Sequence, residues 1–199
     1  APEHQAMIAE LKAALRQKQL EIHDSGLLPE KMRERRAAEN NLTIYEMVRD
    51  ERLYPLESYL DAADRALSRD KANLVTFKEW MSHEDEGMRW WAVVGLRLLD
   101  KNAHSATAIL KKALKDESHE VRVIAAWILI DLGQGDLGLA TLESLLINKS
   151  ENEPMLHNVI DWVGEPAFPL VKKYLDNGGS REGRYGISIL ARIAEVEGL

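Results

Sequence analysis

The run Ser118-His119-Glu120-Val121-Arg122-Val123-Ile124-Ala125-Ala126-Trp127-Ile128-Leu129-Ile130-Asp131-Leu132-Gly133 has copies elsewhere in the chain, and that recurrence limits the fold more than any other feature. Between Val121 and Leu132 only Arg122 and Asp131 are charged, so a helix here is apolar nearly all the way round and must be buried on both sides. It is too short to span a bilayer. Ser118 suits the helix start, Glu120 the positive end of the dipole, and Gly133 a left-handed residue just past the end. Met88-Arg89-Trp90-Trp91-Ala92-Val93-Val94-Gly95-Leu96 repeats the pattern 33 positions earlier (122 − 89 = 33), with Arg89 under Arg122 and Ala92 under Ala125. Gly183-Arg184-Tyr185-Gly186-Ile187-Ser188-Ile189-Leu190 is a further copy. Preceding helical patterns begin at Phe77, Leu110, Leu142 and Val171, separated by 33, 32 and 29 residues. A period in this range is that of a solenoid of stacked helix pairs.

Four pairs are predicted, at about 72–99, 106–132, 138–163 and 167–195. The third is the least regular: its second helix begins at Pro154, tolerated in a first turn, and lacks the arginine. Ahead of the pairs, Met7, Ile8, Leu11, Leu15 and Leu20 recur at helical spacing and predict an amphipathic helix over about 3–22. Gly26-Leu27-Leu28-Pro29 breaks it. The mixed run Glu30-Lys31-Met32-Arg33-Glu34-Arg35-Arg36 reads as a solvated helix face, because glutamates interleave its basic residues. A short helix follows Leu42-Thr43, and Pro55 opens another whose Tyr59, Leu60, Ala63 and Leu67 share a face. No strand pattern competes, so the chain is expected to be all α.

Composition narrows the chemistry. There is no cysteine, which excludes disulfides, thiolate metal sites and a cysteine nucleophile. A net charge of −7 argues against a nucleic-acid partner, since binding phosphates needs a basic face. No stretch is long enough to cross a membrane. No serine stands in a Gly-x-Ser-x-Gly elbow, and Asn177-Gly178-Gly179-Ser180 has neither the spacing nor the lysine of a phosphate loop.

The second pair, with an aliphatic first helix, Asp116, then Val121-Arg122 and an alanine-rich second helix, resembles a HEAT repeat. That likeness implies an α-α superhelix of the HEAT or armadillo type. It also implies a ladder between neighbouring repeats, from an aspartate in the turn and an arginine six positions later. Asp116 and Arg122 have that spacing; Arg89 and Arg184 have His83 and Gly178 where the aspartate belongs, so a partial ladder is expected.

A second likeness lies ahead of the repeats. Ser25-Gly26-Leu27-Leu28-Pro29-Glu30, Asn41-Leu42-Thr43-Ile44-Tyr45-Glu46-Met47-Val48-Arg49-Asp50, Tyr54-Pro55 and Leu60-Asp61-Ala62-Ala63-Asp64 resemble the junction in bacterial sulfatases that carry a C-terminal HEAT-repeat extension. The resemblance divides the chain into 1–41, similar to the end of a sulfatase domain, and 42–199, the repeat region with its leading helices. It implies a parent enzyme that hydrolyses sulfate esters or the N-sulfate of a glucosamine, with a formylglycine and a bound calcium. No Cys/Ser-x-Pro-x-Arg motif occurs here, so this chain is expected to be non-catalytic and to hold no cofactor of its own. Its implied partner is the upstream sulfatase domain of the same polypeptide, with a sulfated glycan or a protein as further candidates. The implied location is periplasmic or extracellular.

Other polar candidates carry less. His83-Glu84 and His119-Glu120 resemble the pairs that hold iron in deoxyhypusine hydroxylase, but stand 36 apart (119 − 83 = 36) against a period of 33 and read instead as polar helix starts. Trp90, Trp91, Trp127 and Trp162 all fall in second helices, which line the concave side of a HEAT solenoid. There they either stack on a sugar, anchor a peptide, or pack between repeats. A free-standing, protein-binding HEAT scaffold is the alternative to the sulfatase extension. An N-terminal helix with no evident partner is expected to leave Ile8, Leu11 and Leu15 in water, a sign that a neighbouring domain belongs against it.

Overall fold

Among the residues described by the computed structural model, 4–148 and 153–176, the chain forms helices and no strands. Three complete helix pairs stack in order. They are α5 (Leu74–Trp80) with α6 (Glu86–Leu98), α7 (Thr107–Ala113) with α8 (His119–Asp131), and α9 (Gly135–Ile147) with α10 (Glu153–Val163). α11 (Phe168–Asp176) opens the fourth; its expected second helix, with Arg184, lies outside the described residues. Ahead of these come α1 (Gln5–Ile22), α2 (Glu30–Glu39), α3 (Ile44–Met47) and α4 (Leu56–Ser68). The second helices form a continuous row, α6 packing between α4 and α8, and α8 against α10. Within the described residues no helix is long and apolar enough to cross a membrane.

α8 is the centre of the array, as its nearly all-apolar sequence requires. Val121, Val123, Ile124, Ala125, Ala126, Ile128 and Leu129 are all buried. The Ser118 hydroxyl accepts from Val121 N–H at its start (3.3 Å), and Gly133 takes φ +79° just past its end. α9 returns so closely that a Cβ on Gly138 would stand 2.5 Å from the Ala126 carbonyl oxygen, so only glycine fits there. Glu120 stands in the first turn, where the positive end of the dipole favours it, and is fully buried there.

Two apolar clusters make the core. One runs through the pairs from Ala66 to Val171; the other joins Leu27, Leu28, Met32 and Ala37 to Met47, Tyr54, Tyr59, Leu60 and Met88. α2 therefore shares its core with α3 and α4, on both sides of residue 41. Trp80, Trp90 and Trp91 pack against both clusters and seal the seam between them.

Two expectations are corrected at this end of the molecule. The charged run of α2 is solvated only in part: Glu30 is exposed and Lys31 and Glu34 partly so, but Arg36 is buried, because it meets Asp85 and Glu86 at the start of α6. Leu67 does not join Tyr59, Leu60 and Ala63 in the core; it is 66% exposed at the rim of a groove between α1 and α4. α1 itself has no buried residue, and its body contacts are confined to its second half.

Candidate functional site

Three arrangements stand out, and the first mounts α1 on the repeats. The Tyr54 hydroxyl accepts from Leu27 N–H (3.2 Å) and donates to the Asp24 carbonyl (3.1 Å), pinning the break after α1 to the segment before α4. Burial pushes the Tyr54 phenol up to about 12, since the anion would be desolvated there. Arg16 on α1 meets Asp61 (2.7 Å) and Asp64 (3.6 Å) on α4. Thr43 and Glu46 close a capping box at α3, and the two hydrogen bonds from Thr43 hold the Glu46 carboxyl below its ordinary value. These residues are among those that carry the junction resemblance.

The second arrangement is a charged knot at the starts of α6 and α8. Arg36 donates to the Leu53 carbonyl and the Tyr59 hydroxyl (both 2.7 Å) and to Glu86 (3.3 Å), and lies 3.2 Å from Asp85. Tyr59 passes its own proton toward Asp85 (2.9 Å), whose carboxylate also caps α6 by accepting from Met88 N–H (2.9 Å). Arg35 bridges Glu86 (2.8 Å) and the buried Glu120 (3.3 Å), which further accepts from Ser118 Oγ (2.7 Å). Burial works against both guanidinium charges. Glu120 and Glu86 outweigh it at Arg35, and Tyr59 and Asp85 at Arg36, so both hold their protons more tightly than usual. Burial likewise pushes the Tyr59 phenol up, well beyond its ordinary range.

Next to the knot, Arg89 clamps Asp116 of the following pair through Nε and Nη2 (2.8 and 2.9 Å) and donates from Nη1 to the His83 and Glu84 carbonyls (2.9 and 3.0 Å). The rung thus joins neighbouring pairs, with the His83 carbonyl serving where its aspartate is missing. Asp116 turns to Arg89 rather than to Arg122, whose buried Nε has no hydrogen-bond partner. Arg184 lies outside the described residues.

The third arrangement is aromatic. Trp127 on α8 and Trp162 on α10 stack with centroids 5.0 Å apart and planes 29° from parallel. The Arg97 guanidinium on α6 lies 4.0 Å from the Trp127 centroid and pairs with Asp131 at 3.0 Å. Burial pushes the Asp131 carboxyl up, against the pull of Arg97. The stack crosses three successive second helices, and Trp162 at its end is 60% exposed. Trp90 and Trp91 are not part of it; they are half-buried in the seam, with the Trp91 indole N–H buried and without a hydrogen-bond partner.

Among the described residues, no group of three or more His, Asp or Glu side chains converges as a metal ion requires. His83 accepts from Asp85 N–H at the start of α6 (3.0 Å), and Glu120 faces Arg35. Comparisons with family models, with curated proteins and with solved structures find no match for this chain.

Proposed function

We propose that this chain is the non-catalytic C-terminal helical-repeat region of a sulfatase acting on sulfated glycans, serving there as an accessory scaffold that packs against the catalytic domain. The observation that supports this reading is the use made of the junction residues. Leu27, Leu28 and Tyr54 are buried together, Tyr54 ties the break after α1 to the entry of α4, and Asp61 and Asp64 hold Arg16. The residues that resemble the sulfatase junction thus tie α1 and the break after it to α4. Calcium and formylglycine belong, on this reading, to the upstream domain, and the location is that of an exported enzyme.

The mass of the native protein in its source cells, read with an antibody against this chain, tests the proposal. A band far above 22.5 kDa that yields a Cys/Ser-x-Pro-x-Arg peptide is the expected result. A band at 22.5 kDa, or sulfatase turnover by this chain alone, would remove it.

The Arg97–Trp127–Trp162 stack favours a second reading, a free-standing scaffold that holds a protein on the row of second helices. Stoichiometric co-purification of one partner, lost on Trp162→Ala, distinguishes it.

A further inference from the structure

α1 carries a row of large apolar side chains that stand exposed among the described residues. Met7, Ile8, Leu11, Leu15 and Ile22 are between 49% and 62% exposed, and within α1 only Arg16, Gln19 and Leu20 are even partly buried. From Gln5 to Leu15 every residue of the helix is exposed. The row continues into the groove between α1 and α4, where Leu15 faces Leu60, Ala63, Leu67 and Trp91. Half-exposed side chains of this size leave on the order of 100 Å² each, so the row alone offers roughly 500 Å², toward the upper end of the largest apolar patch on an ordinary monomer.

The area and the spacing together select the occupant. Covering such a patch with an equal surface buries about 1,000 Å², short of the roughly 1,200–2,000 Å² of a stable complex between free partners. It falls within the roughly 600–1,500 Å² of contacts between domains of one chain, where the link supplies a millimolar effective concentration. A second copy of α1 is a poor occupant. Ile8, Leu11, Leu15 and Ile22 keep a three–four spacing, but Lys18 stands where the seam needs an apolar residue, and the helix is shorter than the three or four heptads of a sustained coiled coil. We infer that the apolar row of α1, Met7, Ile8, Leu11, Leu15 and Ile22, is the docking surface for an apolar face of a second domain of the same polypeptide. This rests on the reading of the chain as one region of a longer enzyme, and adds to it the residues of the interface and its apolar character.

Limited trypsin digestion at Lys12, in the solvated half of α1, tests the inference on both the isolated chain and the native protein. The isolated chain should sediment as a monomer and be cut rapidly at Lys12, while the longer native polypeptide is protected there at least tenfold. Leu11→Glu with Leu15→Glu in that polypeptide should restore the cut, and the same pair in the isolated chain should leave its melting transition in place. A native protein much larger than 22.5 kDa that is cut at Lys12 as fast as the isolated chain would overturn the docking while leaving the longer enzyme standing. A native mass of 22.5 kDa would remove both. An isolated chain that is a dimer, protected at Lys12 and dissociated by Leu11→Glu, would assign the surface to a second copy instead.

Discussion

Arg36 concentrates more of this structure's specificity than any other single side chain. It sits in a run that reads locally as a solvated helix face, a reading that Glu30 and the Lys31–Glu34 pair (2.6 Å) on α2 obey and Arg36 does not. Its partners lie 17 to 50 positions away, at Leu53, Tyr59, Asp85 and Glu86, so no spacing rule within one helix reveals them. The burial of Glu120 is hidden from the local pattern for the same reason, its partner Arg35 lying 85 positions back. Removing one member of a buried ionic cluster leaves the others desolvated and uncompensated. Arg36→Ala should therefore cost about 3–5 kcal/mol, measured by urea denaturation. Replacing Arg36 together with Glu86 by apolar residues should cost less than Arg36→Ala alone, because fewer charges are then stranded. Tyr54 gives the pH counterpart. Its folded phenol is held up to about 12, above the ordinary 10.0, so its contribution is complete below pH 10 and is lost as pH rises toward 12. Absorbance at 295 nm should show that phenol titrating late, and Tyr54→Phe should flatten the fall in stability across that window.

At the scale of elements, the period of about 33 made the helix pairs legible, because a pattern repeated three or four times averages out local noise. The limits of α8 were equally legible in Ser118 and Gly133, whose roles are local. What joins the elements was less so. Trp127 and Trp162 could be assigned to second helices, but their stacking and the seating of Arg97 depend on how α6, α8 and α10 are rotated, which no residue pattern states. The core that α2 shares with α4 likewise depends on Met32 and Ala37 facing inward, which the charged run around them hides. Gly138 tests the closest of these contacts. Alanine is the better helix former by about 1 kcal/mol in an exposed helix. Here its methyl would stand 2.5 Å from the Ala126 carbonyl oxygen, a backbone atom that moves only with α8. Gly138→Ala should therefore destabilise by about 1–3 kcal/mol in urea despite its propensity. A neutral or stabilising result would mean that α8 and α9 are not packed this closely.

For the whole molecule, the question is where the self-sufficient body ends. The exposure of Ile8, Leu11 and Leu15 was legible in advance, because a helix ahead of the first complete pair has no partner in the repeat pattern. Where α1 stops being free was not. That is set by Arg16 reaching Asp61 and Asp64, Gln19 reaching Asp24 (3.0 Å), and Leu20 packing against the second core. Two truncations separate these halves. Deleting residues 1–15 removes four of the five exposed apolar side chains in the row and none of those contacts, so it should shift the melting temperature by less than about 2 °C, under about 1 kcal/mol for a chain of this size. It should also lower the binding of a dye that reports exposed apolar surface. Deleting residues 1–23 takes Arg16, Gln19 and Leu20 as well and opens one wall of the groove above Trp91, so it should lower the melting temperature by clearly more. Equal losses from the two deletions would mean that the first half of α1 belongs to the body after all, and that its apolar row is covered from within.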